Sequence, residues 1–275
     1  MIILRNVNRI YGKGESAVHA LKDVNLVIED GKFTAILGKS GSGKSTLMNI
    51  IGALDTPTSG KIFNDKTDLS TLSENQLADY RNKTTGFVFQ SFYLEPTYTV
   101  LENVAMPLTI AGMKRKEREE KARDIIKKLG LEDKTYKKAN ELSGGQKQRV
   151  SIARALVHNP NLILADEPTG NLDSQNGAEV MNLLKEIVKM GKSVVLVTHN
   201  MEDAKNAENI VTIKDGVVTA DYMKKYSFKD NPAPAQQAAQ PQPQPKQAAP
   251  APAAKPAAKP AAQPAPKKEV KKEGK

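Results

Sequence analysis

Residues 38–45 combine the residue types and the spacing of a loop that binds phosphate groups. They read Gly-Lys-Ser-Gly-Ser-Gly-Lys-Ser, between an apolar run at 33–37 and a helical pattern from Thr46 onward. Glycines let backbone N–H groups turn toward phosphate oxygens, and the start of the helix adds positive potential. Lys44 could reach the terminal phosphates, and the Ser45 hydroxyl could bind Mg²⁺. The residues predicted to hold the nucleotide in this phosphate-binding loop are Gly38, Lys39, Ser40, Gly41, Ser42, Gly43, Lys44, Ser45 and Thr46.

An apolar run at residues 162–165 ends in two carboxylates, Asp166 and Glu167. We expect this run to form a strand beside the strand of the phosphate-binding loop, which would bring Asp166 near the Mg²⁺ ion. Glu167 could then polarise an attacking water. The alternative is an ordinary core strand with a solvated acidic end, and the phosphate-binding loop upstream makes that alternative the weaker one.

A second candidate anion site lies at residues 142–146, which read Leu-Ser-Gly-Gly-Gln before a helical pattern at 147–158. A hydroxyl and two glycines at a helix N-terminus, here Ser143, Gly144 and Gly145, can bind an anion. One nucleotide does not need two such sites from one chain. We therefore expect two copies to face each other, so that the site of each closes on the ATP of its partner. Ser143, Gly144, Gly145 and Gln146 are together called the serine–glycine tip.

The rest of the sequence predicts an α/β fold with a largely parallel sheet. Residues 2–7, 21–28 and 194–198 have the pattern of strands, and residues 175–190 form a helix with one apolar stripe. The order strand, helix, strand from residue 162 to residue 198 is a βαβ unit, which makes parallel neighbours.

A different pattern interrupts this alternation and predicts an inserted helical subdomain at about 91–158. Helices are predicted at 100–110 and 116–129, the second richly charged, with Gly130 as its C-terminal cap. We expect one folded domain over 1–228 and a disordered tail over 229–275, because the tail is mostly Ala, Pro, Gln and Lys and cannot form a core.

The charge and composition of the chain argue against several kinds of partner and structural feature. The net charge is +10, but residues 231–275 carry eight Lys and two Glu, a net +6, which leaves +4 for the rest. The basic balance therefore predicts no nucleic-acid partner, although tail lysines could touch anionic lipid at about 1 kcal/mol each. The absence of cysteine excludes disulfides and thiolate metal sites. No apolar run approaches the roughly 20 residues of a membrane span, so we expect an intracellular, soluble chain unless a partner recruits it.

The phosphate-binding loop, the acidic strand end and the serine–glycine tip together resemble the nucleotide-binding subunit of ABC transporters, over about residues 1–220. The resemblance implies roles for four further residues. Tyr11 would stack on adenine, and Gln90 would sense Mg²⁺ and the attacking water. Asp173 lies in the loop that reaches across the dimer, and His199 would contact the γ-phosphate.

The resemblance also implies a fold, cofactors and partners. The fold is a P-loop NTPase cassette with a mostly parallel sheet, an N-terminal antiparallel β subdomain and an inserted helical subdomain. The cofactors are ATP and Mg²⁺, with Ser45, Gln90 and Asp166 around the metal and Glu167, His199 and Gln90 in catalysis. The partners are a second copy of the chain and a membrane permease, which would place the protein in the cytoplasm against the inner face of the membrane.

Three runs, 42–52, 86–92 and 165–173, look like the branch of macrolide-efflux and lipoprotein-releasing ATPases, near the antimicrobial-peptide exporters. This predicts export or mechanical extraction of peptide, drug or lipoprotein-like substrates. An alternative is an ATPase that regulates cell-wall hydrolases through a membrane partner, since its cassette would look the same. A translation or DNA-repair ATPase fits less well, because the chain has one cassette and no zinc cysteines. A kinase or GTPase does not explain the serine–glycine tip.

Overall fold

The structure is a computed structural model that describes residues 1–220 and residue 226. Strands and helices follow one another in that part of the chain. The strands are β1 (Ile2–Tyr11), β2 (Val18–Ile28), β3 (Phe33–Leu37), β4 (Ser59–Asn64), β5 (Thr67–Asp68), β6 (Thr85–Phe89), β7 (Leu162–Asp166), β8 (Ser193–Thr198), β9 (Asn209–Lys214) and β10 (Val217–Thr219). The helices are α1 (Lys44–Ile51), α2 (Glu74–Thr84), α3 (Val100–Ile110), α4 (Arg115–Lys128), α5 (Gly144–Leu156), α6 (Ser174–Lys189) and α7 (Met201–Ala204).

The main sheet has six strands in the order β10-β9-β3-β8-β7-β6. Strands β9, β3, β8, β7 and β6 run parallel, and only β10 is antiparallel to its neighbour. The prediction of an α/β fold with a mostly parallel sheet is therefore confirmed. The βαβ unit formed by β7, α6 and β8 is also present, with β7 and β8 as direct neighbours.

One expectation about this sheet is wrong: β7, which carries the two carboxylates, does not lie beside β3. Strand β8 lies between them and pairs with both, Val194 opposite Phe33 and Ser193 opposite Leu162. The physical reason is that the crossover connections, and not the strand sequences, set the order of strands in a parallel sheet. Every residue of β8 is buried, which suits the centre of a sheet covered on both faces.

A second sheet is built from the N-terminal strands in the order β2-β1-β4-β5, all antiparallel. Helix α1 lies between the two sheets, where Leu47 and Ile51 share one core with Leu4 and Leu26 of the small sheet and Val197 of the large one. The predicted N-terminal antiparallel β subdomain is confirmed. This packing holds the start of α1, and with it the phosphate-binding loop, in a fixed place.

Helices α3, α4 and α5 form the inserted helical subdomain. Val104, Ile126 and Val150 come from the three helices and belong to one buried core that continues to Val88 and Ile163 of the sheet. Helix α5 begins at Gly144 rather than at 147 as predicted. The reason is the cap at Ser143, which lets two glycines form the first helical turn.

Within residues 1–220, no helix is long and apolar enough to cross a bilayer. The predicted tail at 229–275, with its proposed contact to anionic lipid, lies outside the described residues. The division of the chain at 228 therefore stays a prediction.

Candidate active site

The phosphate-binding loop joins the end of β3 to the start of α1. Gly43 is the N-cap of α1 and has a left-handed backbone with φ 103°. A Cβ atom on Gly43 would lie 2.5 Å from the carbonyl oxygen of Ala20, so only glycine fits this position. Lys44 is 6% exposed, and its ammonium group donates to the carbonyl oxygen of Lys39 at 2.9 Å. The loop thus holds a nearly buried cation inside its own curve.

Glu167 is the carboxylate that lies next to the Lys44 ammonium group. Its Oε1 atom lies 4.0 Å from Lys44 Nζ and 3.0 Å from His199 Nδ1, so three predicted site residues come together. Glu167 has φ 44°, a left-handed backbone that costs a non-glycine residue free energy. Its N–H group donates to the carbonyl oxygen of Val197 at 2.8 Å, which holds the residue between β7 and β8. Such strain is typical of functional sites.

Asp166, at the end of β7, is the second carboxylate of the site. Burial raises its pKa, and the neighbouring Glu167 raises it further, while Lys44 and a hydrogen bond with Ser45 act in the opposite direction. The hydroxyl of Ser45 and the carboxylate of Asp166 are oxygen donors of the kind that Mg²⁺ prefers. Residues 1–220 contain no group of three or more His, Cys, Asp or Glu able to hold a metal.

Gln90 follows β6 and contacts the loop after Glu167. Its Nε2 atom donates to Asn171 Oδ1 at 3.3 Å, and Asn171 Nδ2 donates to the Gln90 carbonyl oxygen at 3.0 Å. The structure therefore pairs Gln90 with Asn171, a residue for which sequence reasoning predicted no role. No spacing or residue type in the sequence points to this pair, because the two residues lie 81 positions apart.

A pocket opens beside the phosphate-binding loop and is called the nucleotide pocket. Tyr11, which is 39% exposed, lines it, and so does Glu167. The other lining residues are Val18, His19, Ala20, Lys22, Ser40, Gly41, Gly43, Lys44, Ser45, Thr46, Asp215 and Gly216. Sequence reasoning missed the contributions of β2 and of the turn at Asp215, since those residues form no motif and reach the pocket only through the fold.

The serine–glycine tip lies apart from the nucleotide pocket, and none of its four residues lines that pocket. Ser143 is the N-cap of α5: its hydroxyl accepts from the Gln146 N–H group at 3.4 Å, and its own N–H group donates to Gln146 Oε1 at 3.1 Å. The hydroxyl hydrogen of Ser143 is not used in this capping box. It can therefore donate to an anion that approaches the helix N-terminus.

Asp173 is the N-cap of α6 and orients Asn176. Its carboxylate accepts from the Asn176 N–H group at 2.9 Å and from Asn176 Nδ2 at 2.7 Å. These hydrogen bonds, the backbone one first, lower the pKa of Asp173. A Cβ atom on Gly145 would lie 2.0 Å from Asn176 Oδ1, so the tip packs directly against the residue that Asp173 holds. Asp173 and the tip thus form one connected surface.

A glycine loop between a parallel strand and a helix, with a buried lysine inside it and carboxylates on a nearby strand end, defines the class of P-loop nucleotide-binding proteins. Sequence comparison then gives the family. The family model described as ABC transporter matches residues 21–170, and the chain belongs to that family. It is an ATP-binding ATPase of the family, as predicted from the three motifs.

Among its relatives, the chain is 49% identical over 225 residues to the macrolide export ATP-binding/permease protein MacB of Aggregatibacter actinomycetemcomitans. The match covers 82% of the chain and 35% of that protein, so the chain spans about a third of the MacB relatives. It is 47% identical to the ABC transporter ATP-binding protein YvrO of Bacillus subtilis, over 80% of the chain and 96% of the relative.

Two solved structures support the same assignment. One is described as the dimeric structure of MJ0796, a bacterial ABC transporter cassette, with 48% identity, a TM-score of 0.72, and coverage of 79% of this chain and 96% of that one. The other is CbiO1 from Clostridium perfringens, part of an ABC transporter complex, with 31% identity, a TM-score of 0.73, and coverage of 83% and 91%. Both confirm the predicted cassette fold.

Proposed function

We propose that the chain binds Mg-ATP in the nucleotide pocket and hydrolyses it to drive a membrane permease. The likeness to MacB, whose name joins an ATP-binding part to a permease, supports export or mechanical extraction of peptide, drug or lipoprotein-like molecules. With such a partner, the chain would work in the cytoplasm against the inner face of the membrane.

The observation that carries the proposal is the position of Glu167 between Lys44 and His199. Lys44 and the N–H groups of the phosphate-binding loop bind the phosphates. Glu167 Oε1 accepts a proton from the attacking water, and His199, 3.0 Å away, holds that carboxylate in place and faces the γ-phosphate. Ser45 and Asp166 would hold Mg²⁺, with Gln90 joining them from the loop after β6. The metal supplies positive charge that offsets the phosphates.

A second copy of the chain completes each site. The serine–glycine tip does not line the nucleotide pocket of its own chain, yet its helix N-terminus and the Ser143 hydroxyl suit a phosphate. The proposal is that the tip and Asp173 of one copy close on the ATP of the other. Hydrolysis reopens the pair, and the movement passes to the permease through the surface around 91–104, where Tyr93 is 67% exposed.

The test is the variant Glu167→Gln, which keeps the shape of the side chain and removes the base. We expect ATP hydrolysis to fall by roughly 10²- to 10⁴-fold while ATP binding is retained, measured by phosphate release and by calorimetry. Sedimentation with Mg-ATP should show a stable dimer. The matched control is Glu186→Gln on the exposed face of α6, which should change neither property. Hydrolysis at the parent rate by Glu167→Gln would overturn the assignment of the base.

A further inference from the structure

Tyr11 is held by two side chains that no motif predicts, Arg9 and Asp55. The Arg9 guanidinium carbon lies 4.5 Å from the centre of the Tyr11 ring, so the cation stacks on one face of the ring. The Tyr11 hydroxyl donates to Asp55 Oδ2 at 2.6 Å. The Arg9 guanidinium also binds both carboxylate oxygens of Asp55, with Nε 2.9 Å from Oδ2 and Nη2 2.6 Å from Oδ1. The three residues form a closed cluster.

The two faces of the Tyr11 ring therefore differ. The Arg9 guanidinium covers one face of the ring, and Tyr11 lines the nucleotide pocket whereas Arg9 does not. Arg9 and Asp55 are largely buried, with 22% and 20% of their side chains exposed. Two-point pairing between a guanidinium and a carboxylate has a fixed geometry, which makes this support rigid.

Asp55 connects this support to the helix that carries the phosphate-binding loop. The N–H groups of Asp55 and Leu54 both donate to the carbonyl oxygen of Asn49 in α1, at 3.2 Å and 2.8 Å. Helix α1 begins at Lys44, inside the phosphate-binding loop. Asp55 thus ties the Tyr11 side chain to the helix that carries the phosphate-binding loop, in addition to the backbone pairing of Tyr11 with Val18 of β2.

We propose that Arg9 and Asp55 are positioning residues, which hold the Tyr11 ring ready to stack on the nucleobase. This inference rests on the proposed function, because it requires a nucleotide in the pocket. A tyrosine at the end of a strand would otherwise lose side-chain freedom on binding, and a ring that is already fixed avoids that cost. The cluster thus raises affinity for the base without touching the nucleotide.

The experiment compares two ligands, ATP and inorganic tripolyphosphate, which has no base. Calorimetry is done in the Glu167→Gln background so that ATP is not consumed. Arg9→Gln and Asp55→Asn should each weaken ATP binding about tenfold, since they free the ring that stacks on the base. Tripolyphosphate affinity should stay within about twofold, because α1 and the phosphate-binding loop are intact. Adding Arg9→Gln to Tyr11→Ala should cause no further loss.

Arg5→Gln is the matched control. Arg5 lies on the same strand and stacks on Phe63 at 5.3 Å, away from the nucleotide pocket. It should change neither affinity. Tyr11→Phe keeps the ring and removes the bond to Asp55, so it should fall between the parent and Arg9→Gln.

The outcomes separate this inference from the proposed function. If Tyr11→Ala weakens ATP binding and Arg9→Gln does not, the positioning role is wrong and the base contact of Tyr11 stands. Equal weakening of ATP and tripolyphosphate by Arg9→Gln also overturns the positioning role, since the effect is then not on the base. If Tyr11→Ala leaves ATP affinity unchanged while Lys44→Ala abolishes it, Tyr11 does not hold the base and the inference fails, while the proposed binding of the phosphates by Lys44 stands.

Discussion

At the scale of a single residue, the charged Asp166 that is proposed to hold Mg²⁺ lowers the stability of the folded protein. Burial raises its pKa, and Glu167 adds repulsion, so the charged form is held at a cost in free energy. A folded-state pKa above the unfolded one means that the folded protein binds the proton more tightly. The contribution of Asp166 to stability is therefore present below the ordinary value of 3.8 and is lost as pH rises through the raised pKa.

The variant Asp166→Asn should be more stable than the parent at neutral pH and should lose Mg-ATP hydrolysis. The amide has nearly the same shape and carries no charge, so the difference in melting temperature should grow as pH rises from about 3.8 and level off above the raised pKa of Asp166. Thermal melts across that pH range, together with phosphate release, measure both effects. The exposed Asp124→Asn is the control. A melting temperature for Asp166→Asn below the parent value at pH 7 would contradict this account.

The role of a site residue could be predicted from the sequence where one short stretch of chain makes all the contacts with the ligand. The phosphate-binding loop follows from its glycines and lysine, because N–H groups and the helix start come from neighbouring residues. The pairing of Gln90 with Asn171 could not be predicted, since it depends on how two loops meet. The same holds for Arg9 of β1 and Asp55 of the segment between α1 and β4, which lie 46 positions apart in the sequence.

At the scale of elements, the N-caps of α3 and α5 allow a matched comparison. Thr99 and Ser143 each cap a helix with a capping box, in which the N–H group of the cap donates to the side chain of the third helical residue, Glu102 or Gln146. The Thr99 hydroxyl also donates to Glu102. Ser143→Ala and Thr99→Ala should each cost about 1 kcal/mol of stability, measured by urea unfolding. Only Ser143→Ala should also lose ATP hydrolysis, because only that hydroxyl is proposed to face a phosphate. Equal losses of activity would mean that capping alone explains the effect.

Element positions were predictable as far as local pattern decides them. Helix α3 runs over the predicted residues 100–110, since a threonine cap and an apolar stripe mark it. The start of α5 was missed because glycine has low helix propensity, and the capping box at Ser143 outweighs it. The place of β8 between β3 and β7 was missed because strand order depends on crossover connections, which strand sequences do not encode.

At the scale of the whole molecule, the shared-site proposal predicts complementation between two inactive variants. Glu167→Gln has an intact serine–glycine tip, and Ser143→Asp has an intact phosphate-binding loop and base but a repulsive tip. Each alone should show little ATP hydrolysis. In a mixed dimer, one site would combine the intact parts of both chains, so mixing should restore activity above the sum of the two. Titrating one variant into the other at fixed total concentration measures this. No gain at any ratio would contradict the shared site.

The central position of β8 in the main sheet has a consequence for folding during synthesis on the ribosome. The N–H group of Gly31, just before β3, donates to Ser193 Oγ at the start of β8, across 162 residues. At a translation rate of about 5–20 residues per second, β3 and the phosphate-binding loop leave the ribosome on the order of ten seconds before β8. Until then β3 and β7 expose open edges, and Glu167, the residue proposed to activate water, has no backbone partner at Val197. A nascent chain therefore cannot consume ATP until nearly all of the cassette has left the ribosome.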